Sequence, residues 1–249
     1  MLLAIDIGNS SIKFGVFDGA ILQSKFSIAT KTISSVDDIS SGVGLSLDRR
    51  ITAAVVCSVV PEVEKALADF LRLDHGIKPI FVRNNFDFGL TIKYEPLEAA
   101  GTDRLVNAFA AAEKYGTPCI VVSFGTATTI DAINKKRELL GGLIAPGMAT
   151  MAKALFLHTS KLPQIVIKKP DNIIGRTTET SIRSGIFYGQ VGLVESAVVR
   201  IKGEIGNDAK VISTGGFASM IAADTDGIDT VDENLLLDGL RLLYSRNMS

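Results

Sequence analysis

Cysteine and histidine are scarce in this chain, two of each, and tryptophan is absent. Cys57 and Cys119 lie in apolar, strand-like runs and read as small buried side chains. Two such thiols build no disulfide framework, which points to a cytoplasmic setting. His75 and His158 stand alone, and the lack of a Cys/His cluster at ligand spacing argues against zinc. Basic charge has no surplus: 26 Lys and Arg against 27 Asp and Glu leave a formal net charge of −1. Without a dense Lys/Arg stripe there is no electrostatic footprint for nucleic acid or an anionic membrane. No apolar run is long enough to span a bilayer, and the N-terminus opens on a strand pattern rather than a signal peptide. Walker A and Rossmann Gly-x-Gly-x-x-Gly patterns are missing, which disfavours the two commonest nucleotide folds. Neither a Gly-x-Ser-x-Gly elbow nor a Cys/His pair supports acyl transfer.

What is present is an ordinary soluble composition, 47% hydrophobic over 249 residues, enough for one large domain or two lobes of about 100–130 residues each. The chain is organised around Val121-Val122-Ser123-Phe124-Gly125-Thr126-Ala127-Thr128-Thr129-Ile130-Asp131. An apolar strand breaks there into a Gly and hydroxyl-rich turn, and a second strand leads away to the polar tip at residues 134–138. Small residues at such a bend leave backbone N–H groups and hydroxyls free to meet a phosphate. The N-terminus repeats the design: residues 2–5, then Asp6-Ile7-Gly8-Asn9-Ser10-Ser11, then residues 12–17 and the tip Asp18-Gly19. Two such hairpins suggest a duplicated architecture facing a shared cleft.

In order, the pattern predicts a third strand at 20–28, a helix near 36–47 and a continuous apolar strand at 51–58, the kind covered on both faces. A helix follows from Pro61 to about residue 73, with Pro where its missing N–H costs little, then a strand at 78–82. That order gives an α/β lobe. Residues 84–98 are irregular, and 101–115 form an Ala-rich central helix. After the second hairpin come a strand at 139–144, a helix to about 157, a long helix or helix pair over 177–205 and a short strand at 211–213. Helices at 217–223 and 234–246 follow. The lobes divide as 1–115 and 116–249.

Four places carry candidate chemistry, each with a plainer alternative. Asp6 is either a turn-capping residue or a carboxylate orienting Mg²⁺ beside nucleotide phosphates, with Ser10, Ser11 and Lys13 nearby. Thr102 or Asp103 caps the central helix, yet capping does not account for Arg104 at the same end. The pair also suits a general base with an anion clamp. The 125–129 segment is a tight turn or a phosphate cradle. Thr214-Gly215-Gly216 allows close packing, or lets a flat base approach the backbone.

Taken together, these motifs resemble the type III pantothenate kinases, of the superfamily that includes acetate and sugar kinases, Hsp70 and actin. The carriers are Asp6-Ile7-Gly8-Asn9-Ser10, Gly101-Thr102-Asp103-Arg104-Leu105-Val106-Asn107-Ala108 and Phe124-Gly125-Thr126-Ala127-Thr128-Thr129-Ile130-Asp131. Gly141-Gly142-Leu143-Ile144-Ala145-Pro146-Gly147, Leu162-Pro163, Ile174-Gly175-Arg176-Thr177-Thr178, Ser184-Gly185-Ile186 and Thr214-Gly215-Gly216 complete the set. The resemblance implies an α/β fold of two ribonuclease-H-like (actin-like ATPase) lobes with a nucleotide cleft between them, in a homodimer that completes the substrate site. It implies phosphorylation of pantothenate by ATP to 4′-phosphopantothenate, the first intermediate towards coenzyme A. Asp6, Ile7, Gly8, Asn9, Ser10, Ser11, Ile12, Lys13 and Thr126 would cradle the ATP phosphates and Mg²⁺, with Asp6 at the metal and Thr214, Gly215 and Gly216 near adenosine. Tyr94, Gly101, Thr102, Asp103, Arg104 and Thr178 would hold pantothenate. Asp103 would be the general base.

Ser123 departs from the family pattern, which usually has Asp there, associated with a monovalent cation, potassium or ammonium. A hydroxyl lacks the charge of that hard-cation ligand, so no metal role is carried to Ser123. Thr177 stands for a usual Asn. The competing expectation is a non-catalytic nucleotide-binding regulator that keeps the fold but has lost turnover through Ser123; a third keeps the fold and changes the small hydroxyl substrate.

Overall fold

The computed structural model describes residues 1–33, 35–43, 47 and 50–248. The first of its two compact units comprises Met1–Leu90, Tyr94–Ala110 and Asn234–Ser249. It opens with β1 (Leu2–Ile7), β2 (Ser11–Asp18) and β3 (Ile21–Ala29), a meander in which each neighbour is antiparallel. A short 3-10 turn leads to α1 (Val36–Val43). The helix expected over 36–47 is thus observed to Val43, and residues 44–46, 48 and 49 lie outside the described residues. β4 (Ala53–Ser58) returns parallel to β1, and α2 (Pro61–His75) follows. Pro61 starts α2, Glu62 and Glu64 suit its positive end, and Gly76 closes it at φ 67°, a left-handed conformation glycine adopts at little cost. Its buried residues, Val63, Leu67, Phe70 and Leu71, fall on one helical stripe. β5 (Ile80–Phe81) is shorter than the expected 78–82 and pairs parallel to β4. α3 (Thr102–Tyr115) begins in this unit.

The sheet order is β3-β2-β1-β4-β5. Alternation divides it into two faces. Leu3, Ile5, Ile7, Ile12, Phe14, Val16, Ala54 and Val56 form one apolar layer with α1 and α2. Asp6, Lys13 and Cys57 share the other face in one cross-strand row, since Asp6 is in register with Lys13 of β2 and Cys57 of β4.

The second unit comprises Thr91–Lys93 and Ala111–Glu233, so residues of α3 from Ala111 group with it. Its strands are β6 (Thr91–Ile92), β7 (Cys119–Phe124), β8 (Ala127–Ile133) and β9 (Glu138–Pro146). Then come α4 (Met148–Leu157), α5 (Thr178–Ile205), β10 (Lys210–Gly215), α6 (Ala218–Ala222) and β11 (Thr230–Val231). Thr177 caps α5 through a reciprocal capping box with Thr180. The sheet order, β11-β10-β7-β8-β9-β6, repeats that of the first unit apart from the added edge strand β6. Both units therefore carry the ribonuclease-H-like arrangement expected from the duplicated hairpins. Ile120, Val122, Phe124 and Ile130 pack with Phe187, Val191 and Val194 of α5 on one face. On the opposite face Ser123 is in register with Thr129 and Thr214, the row equivalent to Lys13–Asp6–Cys57.

α7 (Leu235–Met248) returns to the first unit and packs on β1, β2 and β4. Leu235, Leu237, Leu240 and Leu243 are buried, and Gly239 admits Val106 and Ala110 of α3, which a β-carbon there would meet within 2.9 Å. Contacts thus assign residues 234–249 to the first unit, whereas a division at 115/116 places them in the second.

Candidate active site

In the first unit the site is built where β1 ends and α3 begins. Asp6, the second-last residue of β1, is 6% exposed and forms an ion pair with Lys13 at 3.4 Å. The turn after it is held by the Gly8 N–H donating to Ser11 O at 3.1 Å and the Thr30 hydroxyl donating to Gly8 O at 2.6 Å. Asn9 and Ser10 are exposed at its tip. Ile7 and Ile12 are core residues, so only their backbone faces the turn. Burial pushes the Asp6 carboxyl up from 3.8 to about 6; Lys13 opposes that rise and Asp103 adds to it.

Three residues anchor the head of α3 to β4. The Cys57 thiol donates to the Thr102 hydroxyl at 3.4 Å, and that hydroxyl donates to Ser58 O at 3.1 Å. Sequence reading treated Cys57 as core filler; only strand pairing places it beside Asp6 and under Thr102. Asp103 Oδ1 accepts from the Arg104 N–H at 2.9 Å. Its carboxyl is raised by burial, against the stabilising pull of that N–H and of the Arg104 guanidinium. A β-carbon on Gly101 would stand 2.6 Å from Asp103 Oδ1, so the carboxylate folds back over a space that only glycine leaves open. Arg104 is buried, with its guanidinium 5.1 Å from the centre of the Tyr94 ring. Asp6, Lys13, Tyr94, Gly101, Thr102, Asp103 and Arg104 thus all belong to the first unit.

Thr126, Thr178, Thr214, Gly215 and Gly216 belong to the second unit. Thr126 lies at the β7–β8 turn, where the Gly125 N–H donates to Ala127 O at 3.0 Å. The Thr126 carbonyl accepts from the Gly147 N–H at 3.0 Å and the Thr150 hydroxyl at 2.6 Å. In the sequence Gly147 stands only as part of a family motif, with no sign that it and Thr150 support this turn. Gly215 is in register with Phe124, at φ 96°, and a β-carbon on it would lie 2.3 Å from Phe124 O. Thr126, Thr214, Gly215 and Gly216 therefore gather at one end of the β7–β10 pair. Thr178 lies apart from them, at the exposed start of α5, lining an open cavity of about 830 Å³ with Arg176, Leu162 and Met151.

Among the described residues no group of three or more His, Cys, Asp or Glu could hold a metal. A cation at Asp6 would complete its coordination with phosphate oxygens and water, the way Mg²⁺ is commonly bound. The donor chemistry fits: Asp6 is a buried hard oxygen ligand whose charge Lys13 only partly offsets. No helix among the described residues is long and apolar enough to cross a membrane.

Known proteins resemble this chain over most of its length. The family model described as type III pantothenate kinase matches residues 2–200. A type III pantothenate kinase of Geobacter sulfurreducens is 42% identical over 99% of each chain. One from Anaeromyxobacter is 43% identical over 99% of this chain and all of its own. Among solved structures, a candidate Baf family transcriptional activator of Campylobacter jejuni superposes with a TM-score of 0.63 at 22% identity, covering 99% of this chain and 98% of that one. A candidate 2-dehydro-3-deoxygalactonokinase of Sinorhizobium meliloti gives 0.59 at 9% identity, covering 99% and 96%. The two structures establish a shared fold. The family match and the full-length relatives establish more: this chain belongs to the type III pantothenate kinases.

Proposed function

We propose that this protein transfers the γ-phosphoryl group of ATP to the primary hydroxyl of pantothenate, giving 4′-phosphopantothenate, the first intermediate towards coenzyme A. The observation that carries this reading is Asp103 itself: a partly buried carboxylate, held by a backbone N–H at a helix head, beside the Asp6–Lys13 pair. Phosphoryl transfer asks mainly for positioning and charge neutralisation, with one base at the nucleophile. Asp103 accepts the hydroxyl proton, and its raised proton affinity makes it a better base than a solvated carboxylate. Arg104, backed by Tyr94, fixes the polar or anionic end of pantothenate. Lys13 and the exposed turn at Asn9 and Ser10 meet phosphate oxygens, as does the turn at Thr126. Mg²⁺, when bound at Asp6, neutralises phosphate charge. Thr214, Gly215 and Gly216 accommodate adenosine, and Thr178 of a second copy completes the pantothenate site in a cytoplasmic homodimer.

A monovalent cation, potassium or ammonium, belongs to the same reading with altered strength. The row Thr129–Ser123–Thr214 offers hydroxyls and no carboxylate, so cation selectivity is expected to be weaker than with Asp at position 123. The test is a coupled ATP-turnover assay with pantothenate in potassium, ammonium and sodium buffers. Wild type is expected to form phosphopantothenate, and Asp103→Asn to lose about a thousandfold in kcat while still binding pantothenate. Absence of product in every buffer would overturn the proposal.

A further inference from the structure

Asn107 lies on α3 one turn beyond Asp103, inside the first unit. It is 5% exposed, and its Oδ1 has no hydrogen-bond partner among the described residues. A buried carbonyl oxygen without a donor is costly. Asparagine is also a poor choice for a helix interior, and its neighbours Ala108, Ala110, Ala111 and Ala112 show what this helix otherwise uses. A residue that local preference and burial both oppose points to a ligand.

Its position says which one. Helical side chains lean towards the N-terminus, and residues three and four apart are neighbours on the surface. The Asn107 carboxamide therefore overlies the turn that carries Asp103 and Arg104. Pantothenate bears two hydroxyls in a 1,3-relation: the primary one that reacts, and a secondary one on the far side of a quaternary carbon. With the primary hydroxyl at Asp103, the secondary one lies a few ångström away, a span comparable with one helical turn. A hydroxyl both donates and accepts, so it satisfies the carboxamide in either orientation.

We propose that Asn107 is a specificity-determining residue that hydrogen-bonds the secondary hydroxyl of the substrate's 1,3-diol and so presents the primary hydroxyl to Asp103. This rests on the pantothenate kinase reading and adds a determinant of which alcohol is accepted.

The experiment compares pantothenate with its analogue lacking the secondary hydroxyl, using wild type, Asn107→Leu and Asn107→Ser. Turnover gives kcat/KM, and calorimetry with Mg²⁺ and a non-hydrolysable ATP analogue gives affinity. Wild type is expected to favour pantothenate at least tenfold, since a site built to bond a hydroxyl rejects a substrate without it. In Asn107→Leu that ratio collapses towards one, and Asn107→Ser retains part of it. Thermal melts identify a variant that fails to fold; if Asn107→Leu does, Asn107→Ser carries the comparison and must show a reduced ratio. An equal ratio in wild type and the folded variants, as expected if water serves Oδ1, overturns the inference. Wild type that phosphorylates both compounds equally well also overturns it while leaving the kinase reading intact. Wild type that binds pantothenate without turnover sinks the kinase reading, and the calorimetric ratio then decides the role of Asn107. Wild type that neither binds nor phosphorylates pantothenate overturns both.

Discussion

Asp6 holds its charge against its surroundings. It titrates at about 6 in the folded chain and at the ordinary 3.8 when unfolded, chiefly because burial disfavours the anion. Between those values the native state binds the extra proton, so stability declines as pH rises from about 4 to about 6. That difference amounts to about 3 kcal/mol. Ligand-free Asp6→Asn is expected to lack this decline and to be more stable than wild type at pH 7. Urea midpoints of both proteins over pH 4–7 measure it, and parallel curves would refute it. A ligand cation offsets the penalty by adding to the countercharge of Lys13, so Mg²⁺–nucleotide affinity should strengthen over the same pH interval. Asp6 and Asp103 were legible as candidates from their motifs. The row Lys13–Asp6–Cys57 was not, because side chains from three strands share a face only once register is known. Asn107 passed unremarked within a recognised motif, since an unpartnered atom is a property of packing.

At the scale of elements, turns and helix heads matter most. Gly147 has an ordinary φ of −70°, so its role is space rather than conformational freedom. A β-carbon there would lie 2.2 Å from Gly125 O and 2.7 Å from Thr126 O, and both obstacles are backbone. Gly147→Ala therefore displaces the β7–β8 turn; it is expected to cost about 1–3 kcal/mol and to raise KM for ATP more than KM for pantothenate. Denaturant unfolding and steady-state kinetics read the two effects, and an unchanged KM for ATP would separate this turn from the phosphates. Both hairpins were legible because apolar strands broken by Gly and hydroxyl residues have few other solutions. The destination of α7 was not. Its apolar stripe shows which side is buried but carries no label for the sheet it meets.

At the scale of the whole molecule, the two sheets share one strand order but not one chemistry: Asp6 and Ser123 occupy equivalent register positions, one anionic and one neutral. The first unit is also discontinuous in sequence, closed by α7 from beyond the second. Leu240→Ala, at a fully buried position, is expected to cost about 2–5 kcal/mol and to weaken hydrogen-exchange protection in β1, β2 and β4. Protection lost equally in β7 and β10 would contradict that assignment. On a ribosome this order sets a wait. β1, β2 and β4 are synthesised early, yet Ala4, Phe17 and Val55 lie on the face that α7 covers. Translation of the intervening residues 111–233 takes on the order of ten seconds at 5–20 residues per second, and through that interval the face lacks α7. A copy interrupted before residue 235 never gains that cover, so its apolar side chains stay open to other hydrophobic surfaces.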